Sequence, residues 1–319
     1  MSDLDKLLGK GRKITLKMPG CTSNLGAGLD CLGLALNIYS RMSFFLLPAN
    51  DPGIPLISYR GAIDKSSLAQ DQGKLTYTIL SRLWQRDHHI LERVRIIVDS
   101  DIPLGVGLGS SATAILGALW AASVLQDRIP TTATLLAEAR EMEGHAESLA
   151  ASLLGGLVVC GQSNDGKRIV TQRLNWPKDW HVIVVSPWYS LTTAMSRSVL
   201  PKNVKLSDAQ HNVGKVAQLV AAIARNDEVA LRESFDDRLH EPYRSQLVPE
   251  LNQLRQLLVG SPIMGCALSG GGSSICIFVN AKKKSQVLET ITHWADQQER
   301  PPKVLDLQVD DQGIQELEI

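Results

Sequence analysis

Pro103-Leu104-Gly105-Val106-Gly107-Leu108-Gly109-Ser110-Ser111-Ala112 sets three glycines within five residues directly before an apolar run. Glycines at that spacing let the backbone turn tightly and approach a ligand without a Cβ in the way. The helix that the apolar run predicts would begin there, offering unpaired N–H groups and the positive end of its dipole, which together favour phosphate. Ser110 and Ser111 add hydroxyls for phosphate or a magnesium ion. An ordinary glycine turn with a serine cap is the competing reading; the strand expected before the loop and the helix expected after it favour the phosphate site. No lysine with Ser/Thr follows the glycines, so this is not a Walker loop. The alternation Gly105-x-Gly107-x-Gly109 also misses the dinucleotide fingerprint.

A second cluster runs from Pro19 to Gly33, with Gly26, Gly28 and Gly33 around Asn24 and Asp30. It describes a bent backbone presenting two polar side chains. The alternative, a glycine-rich hairpin in which Asn and Asp cap turns, stays open on these residues alone.

The elements that must carry these clusters follow from periodicity. Ile14, Leu16 and Met18 alternate with polar residues and predict a strand before the second cluster. Arg41 to Leu47 and Val94 to Val98 predict strands, and Leu75 to Trp84 a helix. The Pro, Gly, Asp and Ser content between Pro48 and Gly73 predicts a loop. After the apolar helix to about Leu125, a second helix is expected from Thr131 or Thr132 to Glu143, stopped by Gly144, and a strand over Gly156 to Cys160. The second half predicts strands at Arg168 to Arg173, Val182 to Val185, Cys266 to Leu268, Ile275 to Val279 and Leu305 to Val309. Helices are expected at Ala209 to Ala224, Pro249 to Leu258 and Val287 to Trp294. On the first of these, Val213, Val216, Leu219, Val220 and Ile223 share a face. The order suggests a split β-α-β sandwich.

At 319 residues the chain suits two packed domains of roughly 150 residues each, expected at 1–165 and 166–319. It is 44% hydrophobic and 21% charged, with 33 Lys+Arg balanced by 33 Asp+Glu. That is a globular mixture of helix and strand with no overall field for nucleic acid or membrane. The five cysteines form no Cys-x-x-Cys pair and sit in apolar surroundings, so reduced, buried thiols in the cytoplasm are expected. Ala112 to Leu125 is too short for a membrane span, and the polar stretch Met1 to Lys13 lacks a signal-peptide core.

Taken together, the motifs carry a resemblance. Asn24 to Gly33 is similar to the first motif of the GHMP kinases, in its homoserine kinase form. Gly107 to Ala112 resembles their phosphate loop, and Leu268-Ser269-Gly270-Gly271-Gly272-Ser273-Ser274 their C-terminal glycine motif. Thr193 to Pro201, His211 to Lys215 and Arg238 to Arg244 resemble further homoserine kinase segments. The resemblance implies an α+β GHMP kinase fold, with an N-terminal ribosomal-protein-S5-like domain and a C-terminal ferredoxin-like split β-α-β domain. It implies transfer of the γ-phosphoryl of ATP to the hydroxyl of L-homoserine, in threonine biosynthesis. Residues 103, 105 and 107–112 (Pro103, Gly105, Gly107, Leu108, Gly109, Ser110, Ser111 and Ala112) would hold the nucleotide. Ser111 and Glu143 would hold Mg2+. Asn24 and Asp30 would be the catalytic pair, anchoring and orienting the acceptor, with no clear general base implied beyond Asp30 as a candidate proton acceptor. Thr193, Arg197, Arg244 and His145 would stand beside the substrate, since paired guanidiniums suit a carboxylate. A homodimer is left open. The chain departs from the family in having Glu147-Ser148 where Asp-Asn is usual, and Lys74 where an Asn is usual. Another alcohol as acceptor, or a non-catalytic nucleotide-binding relative, remain the alternatives.

Overall fold

The computed structural model describes residues 12–47, 57–61, 67–83, 88–126 and 128–317. Strand β1 (Arg12–Ser23) buries Ile14, Leu16 and Met18 at alternate positions, as a half-covered strand requires. It pairs antiparallel with β2 (Leu32–Leu46). β2 starts well before the expected Arg41, because its first half is buried almost throughout and so lacks the alternation that marks its second half.

The region expected as a loop, 48–73, instead contains β3 (Ile57–Gly61) and the first turns of α1 (Ser67–Leu83). β3 runs parallel to β4 (Val94–Ser100), which follows a short α2 (His88–Arg93). Pairing along a neighbouring strand outweighs the local turn signals there; 48–56, 62–66 and Trp84 lie outside the described residues.

Helix α3 (Ser110–Leu125) is largely apolar and is buried against α1, β1 and β2, as such a helix must be. α4 (Thr132–Glu143) opens with a capping box between Thr131 and Thr134 and ends at Gly144, whose φ is 83°. α5 (Glu147–Leu154) was not foreseen: Glu147 to Leu153 are all buried, so no polar face betrays the helix. β5 (Leu157–Gln162) pairs with β2, and β6 (Ile169–Leu174) with β5.

The second half builds a four-stranded antiparallel sheet from β7 (Trp180–Ser186), β8 (Ile263–Leu268), β9 (Ile275–Asn280) and β10 (Lys303–Leu307), in the order β10-β7-β9-β8. Between β7 and β8 come α6 (Thr193–Ser198), α7 (Leu206–Ala224), α8 (Glu228–Arg232), α9 (Glu241–Arg244) and α10 (Glu250–Leu257). α11 (Lys284–Asp296) connects β9 to β10, completing the expected split β-α-β arrangement. On α7 the inward face is rotated from the one expected. Val213 is exposed, while Asn212, seven residues before Leu219, points inward at 3% exposure, where it makes bonds described below. The chain closes with β11 (Gln315–Leu317) beside β1, so β6 and β11, both beyond residue 165, belong to the seven-stranded first sheet.

Each lobe has its own core, and a third cluster joins them. Leu34, Leu36, Ile102, Val106 and Leu108 from the first half pack with Val182, Val184, Phe235 and Phe278 from the second. Phe235 and Phe278 stack with ring centroids 4.9 Å apart, an arrangement favourable beyond its area. This shared core presses the glycine loop of the first lobe against the β8–β9 turn of the second. No helix among the described residues is long and apolar enough to cross a membrane. All five cysteines are free thiols, four of them buried.

Candidate active site

The glycine loop 105–109 is held by its carbonyls. Gly105 O accepts from Leu191 N, Val106 O from Ser274 N, and Leu108 O from Cys21 N, at 2.8, 3.0 and 3.1 Å. Gly107 O accepts from Ser269 Oγ at 2.6 Å. Four consecutive carbonyls are thus tied back into both lobes, and Gly105, Gly107 and Gly109 line the pocket where α3 begins. Gly105, Gly107 and Gly109 have φ of 68°, 82° and 78°. Glycine is obligatory at 107, since a Cβ there would stand 2.1 Å from Ser269 O.

Gly105, Gly107, Gly109, Ser110 and Ser111 line one cavity together with Asn24, Asp30, Glu143, His145, Thr193, Arg197 and Arg244. Of the residues expected at the nucleotide, Pro103, Leu108 and Ala112 do not line it. Leu108 and Ala112 are buried in the core at 1% and 0% exposure, which leaves them only backbone atoms to offer.

Ser111 Oγ donates to Glu143 Oε1, and Glu143 Oε2 is buried with no hydrogen-bond partner. Burial pushes the Glu143 carboxyl above the usual range, with the Glu147 charge adding to it and His145 and Ser111 opposing. A hydroxyl and a buried carboxylate with one unsatisfied oxygen fit a hard dication that takes few protein oxygens and completes its shell with water and phosphate. No group of three or more His, Cys, Asp and Glu among the described residues could hold a metal by itself.

On the acceptor side, Asn24 and Asp30 both sit in the left-handed region, at φ 73° and 57°. Asn24 Oδ1 accepts from Asp30 N at 3.0 Å, while its Nδ2 donates to Gly270 O at 2.8 Å. Asn24 thus ties together the two ends of its own loop and reaches the β8–β9 turn, while also lining the pocket. Arg197 grips Asp30 with both terminal nitrogens, at 2.8 and 3.2 Å. Arg244 is 2% exposed; its Nε donates to Ser196 O, and one terminal nitrogen to His240 Nδ1. Burial and the neighbouring Arg197 lower its pKa, so this guanidinium is poised for an anion. His240 Nε2 donates to Gly26 O at 2.7 Å, which fixes the tautomer whose Nδ1 accepts from Arg244.

All the expected acceptor and metal residues thus meet in one place. Sequence reasoning left several pocket residues unassigned: Cys21, Ser23, Ser196, Gly270, Gly271, Gly272, Glu147 and Ser148. The third glycine motif was the available signal for 270–272. Glu147 and Ser148 were visible only as departures, because the helix that aims them was hidden. Lys74 lies on α1, but its side chain falls outside the described residues.

Residues 74–156 match the GHMP kinase N-terminal domain family and residues 219–296 the GHMP kinase C-terminal family. The chain is 32% identical over 285 residues to a homoserine kinase of Synechocystis sp., covering 88% of this chain and 91% of that one. A homoserine kinase of Prochlorococcus marinus is 34% identical over 286 residues, covering 87% and 88%. Among solved structures, homoserine kinase from Cytophaga hutchinsonii superimposes with a TM-score of 0.80 at 26% identity, covering 96% of this chain and 97% of that one.

Proposed function

The chain belongs to the homoserine kinases of the GHMP superfamily, and from that premise we propose that its pocket transfers the γ-phosphoryl of ATP to the side-chain hydroxyl of L-homoserine. The observation that carries the reading is the convergence, in one cavity, of the glycine loop at the start of α3 with two guanidiniums, one of them buried. Residues 105–111 would cradle the triphosphate at the start of α3. Ser111 and Glu143 would hold Mg2+, whose chemistry there is to neutralise charge on the phosphates. Arg244, with Arg197 beside it, takes the substrate carboxylate by charge-assisted bonds. Asp30 meets the ammonium, with Thr193 and His145 also lining the pocket. Asn24 serves as a positioning residue, since both its polar atoms are spent on Asp30 and Gly270. Catalysis then rests on orientation and on dipoles already in place where charge shifts.

A coupled ADP-release assay across homoserine, threonine, mevalonate and a sugar tests this. Homoserine is expected to turn over fastest, and Arg244→Ala to raise its KM about 10²-fold, as loss of one partner of a buried charge pair does. Turnover of another alcohol without homoserine turnover, or an unchanged KM in the variant, would sink the substrate assignment.

A further inference from the structure

We propose that Glu147, through Oε2, accepts the proton that the acceptor hydroxyl gives up during phosphoryl transfer; the inference rests on the kinase reading of this pocket. Glu147 opens α5 at 2% exposure and lines the cavity beside Ser111, Glu143 and Asp30. Its Oε1 lies 3.2 Å from His145 Nδ1. Its Oε2 is buried with no hydrogen-bond partner, and so is the hydroxyl of Ser148 next to it. A buried carboxylate oxygen without a donor is costly unless a ligand supplies one.

Each of the other two carboxylates of the pocket has a partner or a cation to hold. Asp30 has both oxygens on Arg197, and Glu143 is paired with Ser111 at the place that suits the cation. With Glu143 Oε2 assigned to the cation, Glu147 Oε2 is left as the unpartnered carboxylate oxygen that can receive a proton from an alcohol. The groups facing Glu147 are His145, Glu143 at the end of α4, Arg197 on α6, and the thiols Cys21, Cys31 and Cys160. Burial raises all three thiols, Cys31 to about 11 and Cys160 to about 12, so none of them competes as a base near neutrality. In the step itself, the alcohol oxygen forms the new bond to the γ-phosphorus as the bond to the ADP oxygen breaks. ADP leaves with that electron pair, the O–H pair stays on the alcohol oxygen, and the proton passes to Glu147 Oε2.

The test uses the full chain with saturating ATP. Glu147→Gln is expected to lower kcat at least about 10²-fold, the usual scale of general-base loss, with homoserine KM and ATP affinity within about threefold. Formate is expected to restore part of the kcat of Glu147→Ala, and Glu147→Asp to retain more kcat than Glu147→Gln. A loss confined to homoserine KM would make Glu147 an ammonium ligand and overturn the proposal. Loss of ATP binding or of cooperative melting in Glu147→Gln would make it a packing residue and overturn it equally. Unchanged kcat in Glu147→Gln overturns only this assignment, whereas no turnover of any alcohol by the unaltered chain removes the kinase reading first and this proposal with it.

Discussion

Burial raises the pKa of Glu143 while Ser111 satisfies one of its oxygens and nothing in the protein satisfies the other. The folded chain thus holds a carboxylate whose charge is costly until a cation arrives. Because its folded pKa lies above the ordinary Glu value of about 4.3, it contributes stability to the metal-free protein at low pH. That contribution is lost as pH rises through the raised folded value. Glu143→Gln should remove this dependence, so metal-free melting of the variant falls less as pH rises above about 4 than that of the parent. The same change should lower kcat about 10²- to 10³-fold, the scale of losing one preorganised electrostatic group, and weaken the response to added magnesium. Thermal melts across pH and magnesium titrations of the rate check both. At this scale the types Asn24, Asp30, Ser111, Glu143, Arg197 and Arg244 were legible from their motifs. What each oxygen and nitrogen bonds was not, since partners such as Gly270 and Ser196 lie far away in sequence.

Among the elements, the loop before α3 is the proposed triphosphate cradle, and Gly107 is where it is least tolerant. Its φ of 82° is one that L side chains rarely adopt, and an added Cβ would meet the backbone oxygens of Ser269 at 2.1 Å and Gly272 at 2.9 Å. Both are main-chain atoms, so no rotamer change relieves the clash. Gly107→Ala is expected to cost about 2–4 kcal/mol of stability and to weaken ATP binding, measurable by urea unfolding and calorimetry. A variant with wild-type stability and affinity would show that the loop does not abut the β8–β9 turn. Elements with a marked period or a cap were readable: β1 from its alternation, α4 from Thr131 and Gly144. α5 was not, because a helix buried on every side has no amphipathic signature. β3 was not either, because its pairing with β4 is a long-range decision.

For the molecule as a whole, the seam between the lobes is also the wall of the site. Asn212 donates to Ala27 O and to Asp237 Oδ1, at 3.2 and 2.6 Å, and Asp237 also accepts from the N–H groups of Leu239, His240 and Glu241. Burial alone would raise the Asp237 carboxyl, but the His240 ring and the hydrogen bonds it receives hold it below the usual value. Its stabilisation is complete above about pH 4, the ordinary Asp range, and is lost as pH falls through the lower folded value. Asp237→Asn should therefore cost about 1.5–3 kcal/mol at neutral pH, with the difference from the parent shrinking in acid; denaturant melts at several pH values measure it. The chain by itself determined the local chemistry: which turns need glycine, which segments alternate, which residue types can hold phosphate, cation and carboxylate. Tertiary structure alone decided that Asn24 meets Gly270, that Arg197 closes on Asp30, that Val213 faces out while Asn212 faces in, and that β11 returns to β1. The reason is physical: propensities and periods act within a few residues. A buried donor finds its acceptor only after distant segments have packed, when desolvation makes every unpaired group costly.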